Sequence, residues 1–331
     1  MSDLEHPLTI RPSREADLPA VLALLEASMG WLPDDLHARF FTWKHAENPF
    51  GPSPAWVAVD EADGCHIVGY RTFLRWEFAR HGQRLRAVRA VDTATHPDYQ
   101  GRGVFSRLTL AAIDDLRARG HAFVFNTPNE RSLPGYLKMG WRTVGRLPVE
   151  MRPRSAGSLA RLLRARTAAE KWSLPCDAGL AAADAFGNRA ATTELLGTLE
   201  SPHGLVTHRS AEFLAWRYGF GLLGYRVLLA GRELEDGAIV FRLRRRGTAT
   251  EAAITDQLVP GADRRLSASL ARRVLRESGA DYAVRLRTET RAGFVPLPRQ
   301  GPVLVYRPLA DAAEPPPQRD WALALGDVEL F

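Results

Sequence analysis

Residues 96–108, HPDYQGRGVFSRL, place a proline and a Gln-Gly-Arg-Gly turn immediately before the start of an amphipathic helix. The stretch before them, QRLRAVRAVDTATHP at 83–97, has the pattern of a strand. A strand that passes through a glycine turn into a helix directs several backbone N–H groups, and the positive end of the helix dipole, towards one point. The stretch therefore predicts either an anion site, for phosphate above all, or a tight packing turn.

Two common nucleotide-binding motifs do not fit this turn. The pattern GxGxxG requires a third glycine where Ser106 stands, and the pattern GxxxxGK[ST] does not occur in the chain. The residues alone leave the choice between phosphate site and packing turn open.

Around the turn, the first half of the chain predicts the element order β-α-α-β-β-β-α-β, followed by a short helix and a closing strand. The predicted strands lie at 8–12, in a hairpin at 55–78 with DEADG as its turn, at 83–97 and at 121–128, with the last in RTVGRLPVEMRP. The predicted helices lie at 14–28, at 33–46, from the turn through Arg119, and around SLPGYLKMG. This order predicts an α+β fold with a mixed sheet flanked by helices.

The second half repeats this order at low resolution. EDGAIVFRL echoes ADGCHIVGYRTF, TEAAITDQLVP echoes RAVRAVDTATHP, RRLSASLARRVLRESGADYAVRL echoes SRLTLAAIDDLRARGHAFVFN, and both halves carry an aromatic-x-x-Trp-basic helix end followed by a strand. Any chain with a β-β-β-α-β order gives some echoes, but four matched elements favour an internal duplication. VPGADRRLS replaces HPDYQGRGVFS, so the second copy has lost the glycine turn.

Length and composition bound the class of protein. A chain of 331 residues with 45% hydrophobic and 25% charged residues favours two globular domains. We predict a first domain at 1–152, a helical linker at 153–190 and a second domain with a C-terminal tail at 191–331. The net charge of +6 suits an anionic ligand, whereas the arginine clusters lack the interleaved aromatic residues of a nucleic-acid binder.

Cysteine usage and the N-terminal residues suggest the compartment. Cys65 and Cys176 form no CxxC or Cys/His cluster, so we expect free thiols, no disulfide framework and no metal site. The start MSDLEHPLTIRP lacks a secretory pattern, and no apolar run is long enough to cross a membrane. We expect a cytoplasmic protein without a membrane partner; the sequence allows an oligomer.

The segment VDTATHPDYQGRGVFSRL resembles the cofactor motif of the GNAT superfamily of acyl-CoA-dependent N-acyltransferases through Pro97, Gln100 and Gly103. A second motif of that superfamily is matched by NERSLPGYLKMGW, with Asn129, Tyr136 and the Gly-Trp pair at 140–141. The resemblance covers residues 8–152 closely and the second half by element order. It points to the bacterial two-domain members, and so to a tandem GNAT fold with a degenerate second copy.

The resemblance implies the roles of individual residues. Acetyl-CoA, or another acyl-CoA, is the implied co-substrate, with its pantetheine arm along 93–95 and its pyrophosphate on the amides of 101–106. Tyr136 matches the position of the general acid, and Asn129 and Ser132 are expected near the pantetheine. The implied cofactor-binding residues are Thr93, Ala94, Thr95, Gln100, Gly101, Arg102, Gly103, Val104, Phe105, Ser106, Asn129 and Ser132. Phe105 departs from the motif, which has a small residue at this position.

The general base stays open at this stage. Asp92 lies in a small, apolar stretch of the cofactor strand, where a carboxylate requires a partner or a chemical role. It either deprotonates or anchors the acceptor amine, or it forms a structural salt bridge with Arg71, Arg86 or Arg89. The other candidates for the base are His96, Glu77 and the C-terminal carboxylate.

The sequence thus predicts an N-acyltransferase that acts on a primary amine of a small molecule, such as an amino sugar, an aminoglycoside-like antibiotic or a peptide metabolite. The alternative is a non-catalytic CoA- or ligand-binding scaffold built from tandem GNAT folds. Asn129 and Tyr136 favour the enzyme, because a scaffold does not require them.

Overall fold

The computed structural model describes residues 8–31, 35–62, 64, 66–165, 167–200, 204–288, 292–309 and 315–329. The chain divides into two compact units. The first unit contains Met1–Phe78, Gly82–Gly145 and Val303–Pro317, and the second contains Ala79–His81, Arg146–Pro302 and Gln318–Phe331.

The first unit follows the predicted order of elements. Its strands are β1 (Thr9–Pro12), β2 (Ala55–Asp60), β3 (His66–Arg80), β4 (Gln83–Thr95), β5 (Phe123–Asn126) and β6 (Arg142–Arg146). Its helices are α1 (Leu18–Met29), α2 (Asp35–His45), α3 (Val104–Ala118) and α4 (Leu133–Lys138). Strands β4 and β5 run parallel, whereas β1 with β2 and β2 with β3 run antiparallel, so the sheet is mixed.

The second unit repeats this architecture. Its strands are β7 (Val149–Pro153), β8 (Ser173–Leu174), β9 (Leu180–Ala181), β10 (Val206–Thr207), β11 (Arg226–Leu229), β12 (Ala238–Arg246), β13 (Ala249–Leu258), β14 (Tyr282–Leu286) and β15 (Val295–Pro296). Its helices are α5 (Ala156–Arg164), α6 (Ala182–Gly187), α7 (Arg189–Thr198), α8 (Ala211–Gly219), α9 (Arg264–Ser278) and α10 (Leu325–Val328). The remaining strand, β16 (Val303–Pro308), belongs to the first unit. The α+β fold and its duplication are confirmed.

The units differ from the contiguous domains that the sequence predicts. The first sheet has the order β1-β2-β3-β4-β5-β16-β6, and the second has the matching order β9-β11-β12-β13-β14-β7-β15. Thus β16 pairs with β5 near the end of the first sheet, and β7 pairs with β14 at the equivalent place in the second. The predicted linker also contributes β8 and β9 to the second sheet. Strands that are distant along the chain therefore complete both sheets.

Helix α3 packs closely on the first sheet. Val104, Leu108, Ala112 and Leu116 are buried on its inner face at the spacing of an amphipathic helix. Gly69 of β3 lies beneath them, and a Cβ atom at Gly69 would lie 2.6 Å from Cγ1 of Val104. The absence of a side chain at Gly69 therefore sets how closely the start of α3 approaches the sheet.

Strands β4 and β5 pair over a short distance and then separate. Their register runs from Ala87 opposite Phe123 to Arg89 opposite Phe125, although β4 continues to Thr95. Beyond the paired region Asp92 has φ +37°, a left-handed conformation that is unusual for a residue with a side chain. The β5-facing edge of β4 beyond Arg89 therefore has no pairing with β5, and the sheet is open there.

Candidate functional site

The glycine turn leads into a helix start that is open to a ligand. Gly101 and Gly103 have φ of +78° and +74°, and a Cβ atom at either position would meet nothing within 4 Å. Helix α3 begins at Val104, with Gly103 as its N-cap and no side-chain cap. The amides of the first turn, Val104 to Ser106, therefore have no intrahelical acceptor and lie at the positive end of the helix dipole. This geometry suits an anion.

The equivalent helix start in the second unit carries its own anion. Oδ1 of Asp263 accepts hydrogen bonds from the amides of Arg265 at 2.7 Å and Leu266 at 3.1 Å, in the first turn of α9. A carboxylate thus satisfies the amide groups that are open in α3. The sequence predicted the loss of the glycine turn, and the structure adds a protein side chain in the position of the anion.

The residues next to the first turn hold its shape. Nε2 of Gln100 donates to the carbonyl oxygen of Thr95 at 3.4 Å, and the guanidinium of Arg102 lies 5.0 Å from the ring centre of Tyr99. Gln100 and Arg102 are exposed, and Ser106 is half-buried at the helix start. These side chains border the open amides.

Phe105 is accommodated by a glycine on the neighbouring helix. Its ring meets the ring of Tyr136 edge to face, with centres 5.4 Å apart. A Cβ atom at Gly135 would lie 3.2 Å from Cε1 of Phe105, so the missing side chain leaves room for the ring. The bulky residue therefore packs against α4.

Tyr136 lies close to the cofactor strand that the sequence predicts. The residue is 5% exposed, and the rings of Phe105 and Trp141 flank it. Its Oη atom accepts a hydrogen bond from Nη2 of Arg71 at 2.9 Å. Nη1 of the same arginine donates to Oγ1 of Thr93 in β4. Arg71 thus links the candidate acid to the strand predicted to hold the pantetheine.

Asn129 and Ser132 form the start of α4. Oδ1 of Asn129 accepts from the amide of Arg131 at 3.1 Å, and from the amide and hydroxyl of Ser132 at 2.9 and 3.0 Å. These bonds fix the loop that carries Tyr136. The expected contact of Asn129 and Ser132 with the pantetheine stays a prediction.

Asp92 belongs to a buried charged cluster on the other face of the sheet. Its Oδ2 atom lies 2.7 Å from Nζ of Lys44 and 2.7 Å from Nε2 of His45. Nδ1 of His45 lies 3.0 Å from Oγ of Ser53, so the ring bridges the carboxylate and the hydroxyl. Because neighbouring strand residues point to opposite faces, Asp92 faces α2, whereas Thr93 meets Arg71.

Electrostatics fix the protonation states in this cluster. Burial alone would raise the pKa of Asp92, but the charge of Lys44 and the hydrogen bond from His45 outweigh it and hold that pKa well below its usual range. Burial lowers the pKa of His45 despite the hydrogen bond to Asp92, which keeps the imidazole neutral. Of the alternatives left open for Asp92, a salt bridge is present, but it is formed with Lys44 and His45 and not with Arg71, Arg86 or Arg89.

The other base candidates have different surroundings. His96 caps the turn before α3, where its Nδ1 atom accepts from the amide of Asp98 at 3.4 Å. The carboxylate of Glu77 lies 4.0 Å from the guanidinium of Arg84. The C-terminal carboxylate, on Phe331, lies outside the described residues.

Three site residues escaped prediction from the sequence in their observed roles. Lys44 and His45 follow Trp43 in the helix end that served as a marker of the repeat, so their position was visible but their contact with Asp92 was not. The sequence suggested Arg71 only as a salt-bridge partner of Asp92. No local sequence pattern predicts which residues a fully buried arginine in a strand will contact.

The described part of the chain contains neither a cluster of metal-ligating side chains nor a membrane-spanning helix. No group of three His, Cys, Asp or Glu residues there is arranged to hold a metal ion. None of the helices in that part is long and apolar enough to cross a membrane. Cys176 is a free thiol, whereas Cys65 lies outside the described residues.

A mixed sheet that opens beside an uncapped helix start is the arrangement that the resemblance to acyl-CoA-dependent acyltransferases implied. Comparison with protein-family models matches residues 9–144 to the acetyltransferase (GNAT) domain family. Residues 9–144 thus match a GNAT acetyltransferase domain, as the resemblance implied, and this match supports an acyl-CoA-dependent N-acyltransferase. This family uses acetyl-CoA.

Solved structures share the fold over nearly the whole chain. A probable N-acyltransferase from Enterococcus faecalis is 11% identical, with a TM-score of 0.61 over 92% of this chain and 73% of that one. A GCN5-related N-acetyltransferase from Anabaena variabilis is 15% identical, with a TM-score of 0.60 over 91% and 73%. Eis1 from Mycobacterium abscessus is 15% identical, with a TM-score of 0.55 over 92% and 74%. A search of the curated proteins finds no match.

Proposed function

We propose that the protein transfers an acetyl or longer acyl group from acyl-CoA to a primary amine of a small molecule, such as an amino sugar, an aminoglycoside-like antibiotic or a peptide metabolite. The acceptor binds without membrane or nucleic acid as a partner. The cytoplasmic location expected from the sequence stays a prediction.

The acyl-CoA binds in the first unit. The pyrophosphate lies on the amides of residues 101–106, with Gln100 and Arg102 beside it, because that helix start is uncapped. The pantetheine arm adds to the open edge of β4 along 93–95 and passes the loop of Asn129 and Ser132. The second unit takes no part in binding pyrophosphate, since Asp263 already satisfies the amides of α9.

The amine attacks the thioester carbonyl directly, and Tyr136 donates a proton to the departing thiolate. The observation that carries this proposal is the link from Oη of Tyr136 through Arg71 to Thr93, which joins the acid to the cofactor strand. Of the roles open to Asp92, its two short contacts with Lys44 and His45 favour a structural salt bridge over proton abstraction.

Calorimetry with acetyl-CoA, followed by a panel of amines with detection of free thiol, tests the proposal. Tyr136→Phe should lower kcat by about 100-fold, since general acid catalysis contributes at that scale, while acetyl-CoA binding stays within about threefold. Tyr306→Phe, on β16, is the matched control and should keep its activity. Absence of binding heat from the folded protein would refute the acyl-CoA site, and an unchanged kcat in Tyr136→Phe would refute the acid.

A further inference from the structure

Arg71 is a fully buried cation in the middle of the candidate active site. Its relative exposure is 0%, and its guanidinium donates to Oη of Tyr136 and to Oγ1 of Thr93. Three aromatic rings surround it, with centres 4.6 Å (Phe73), 5.4 Å (Tyr136) and 5.5 Å (Phe105) from its Cζ atom. The faces of such rings attract a cation, but they do not neutralise its charge.

No carboxylate among the described residues lies within ion-pair distance of Arg71. Its Nε atom is buried and also has no hydrogen-bond acceptor in that part of the chain. Buried charges in proteins are normally paired, because removal from water is costly. A buried arginine without a counter-charge is therefore able to stabilise a negative charge that forms next to it during the reaction.

The second copy of the fold provides an internal comparison. Arg242 occupies the matching aromatic-Arg position in β12 and is also 0% exposed. Its Nη2 atom lies 2.7 Å from Oε1 of Glu329, which also pairs with Arg244 at 2.6 Å. The copy that lacks the pyrophosphate site thus supplies a permanent counter-charge, whereas the copy that has the site supplies a tyrosine hydroxyl.

We propose that Arg71 is a positioning residue for Tyr136, and that it stabilises the phenolate which forms when Tyr136 gives up its proton. By donating to a lone pair of Oη, Arg71 directs the O–H bond of Tyr136 away from itself and towards the opening between β4 and β5. Its positive charge then pairs with the phenolate at a distance of one hydrogen bond. Because Arg71 acts through Tyr136, this role rests on the proposed function.

The proton and the electrons balance in this step. The C–N bond forms as the amine attacks, and the C–S bond breaks with its electron pair remaining on sulfur. The thiolate takes the proton of Tyr136, which leaves a phenolate beside Arg71. The proton that the amine loses reaches solvent, from which Tyr136 is reprotonated before the next cycle.

A double-mutant cycle on the full chain tests this role, with acetyl-CoA and an accepted amine as substrates. Arg71→Met should lower kcat by about 10- to 100-fold, a share of the general acid effect, with the KM for acetyl-CoA within about threefold. In the Tyr136→Phe background the same substitution should change kcat by less than about twofold, since no phenolate forms there. Arg71→Lys keeps the charge and should recover part of the rate.

Each outcome decides the question. If the fold-reductions in kcat from Arg71→Met and Tyr136→Phe multiply in the double variant, the two residues act independently. This result would overturn the role of Arg71 but would leave the proposed acyl-CoA site unaffected. A wild-type protein that gives no binding heat with acetyl-CoA would overturn the proposed function and this role together. If Arg71→Met does not fold, Arg71→Lys serves in the same cycle; an equal loss with and without Tyr136 overturns the role.

Discussion

The Nζ atom of Lys44 lies 2.7 Å from Oδ2 of Asp92, and both side chains are at most 3% exposed. Lys44→Met should lower the free energy of unfolding by about 3 kcal/mol, because it leaves the Asp92 carboxylate buried beside a neutral His45. Chemical denaturation measures this loss.

Lys138→Met, at an exposed position of α4, is the control and should change stability little. Adding Asp92→Asn to Lys44→Met should recover part of the lost stability, because the unpaired charge is then gone. A loss below about 1 kcal/mol in Lys44→Met would mean that the pair is not a significant stabilising contact.

Because the start of α3 is uncapped, we expect a negative charge at position 103 to weaken the binding of acetyl-CoA. Gly103→Asp should weaken acetyl-CoA binding by at least tenfold, about 1.4 kcal/mol, because a carboxylate there competes with the pyrophosphate for the same amides, as Asp263 does in α9. Gly103→Asn is the matched variant, since Asn has similar size, carries no charge and tolerates a left-handed backbone. Calorimetry compares the two. Equal weakening by both would exclude an electrostatic cause.

The sequence predicted much of the first unit because its information is local. Helix α3, the glycine turn and the loop of Asn129 follow from short motifs, each read within about ten residues. The role of Asp263 also follows from a local pattern, since an aspartate before a helical stretch is a common N-cap. Local patterns therefore predicted the turn, the helix starts and the tyrosine.

What the sequence could not predict depends on contacts between distant residues. VLVYRP at 303–308 reads as a strand, but nothing in it indicates that it pairs with β5. Lys44 and Asp92 are separated by most of three strands, and their contact depends on how α2 packs against those strands. Such pairings follow from topology and register, which one sequence does not encode in any short segment.

The close approach of α3 to the sheet makes Gly69 sensitive to substitution. Gly69→Ala should lower the free energy of unfolding by about 1 to 3 kcal/mol, because its Cβ would lie 2.6 Å from Cγ1 of Val104, a stiff β-branched side chain. Val104→Ala in the same chain should relieve this clash. The double variant should therefore lose less free energy of unfolding than the sum of the losses in the two single variants. Losses that add within about 0.5 kcal/mol would contradict the clash.

The buried imidazole of His121 should make the free energy of unfolding depend on pH. Burial, followed by the charges of Arg75, Arg86 and Arg119, lowers the pKa of His121 to about 4, and its buried Nδ1 atom has no acceptor or donor in the described structure. The unfolded chain therefore binds this proton near pH 6.5, whereas the folded chain does so only near pH 4. Stability should fall by about 2 kcal/mol as the pH drops between these values, in addition to any contribution from His45.

His121→Asn removes the titrating group and should flatten this part of the profile, measured by denaturant unfolding at a series of pH values. His66→Asn removes an exposed histidine of the same unit and serves as the control. A slope between pH 6.5 and 4 that is the same in wild type and His121→Asn would mean that His121 takes up its proton equally in the folded and unfolded chains. The acid sensitivity would then have to come from other groups, of which the His45–Asp92 pair is the first to substitute.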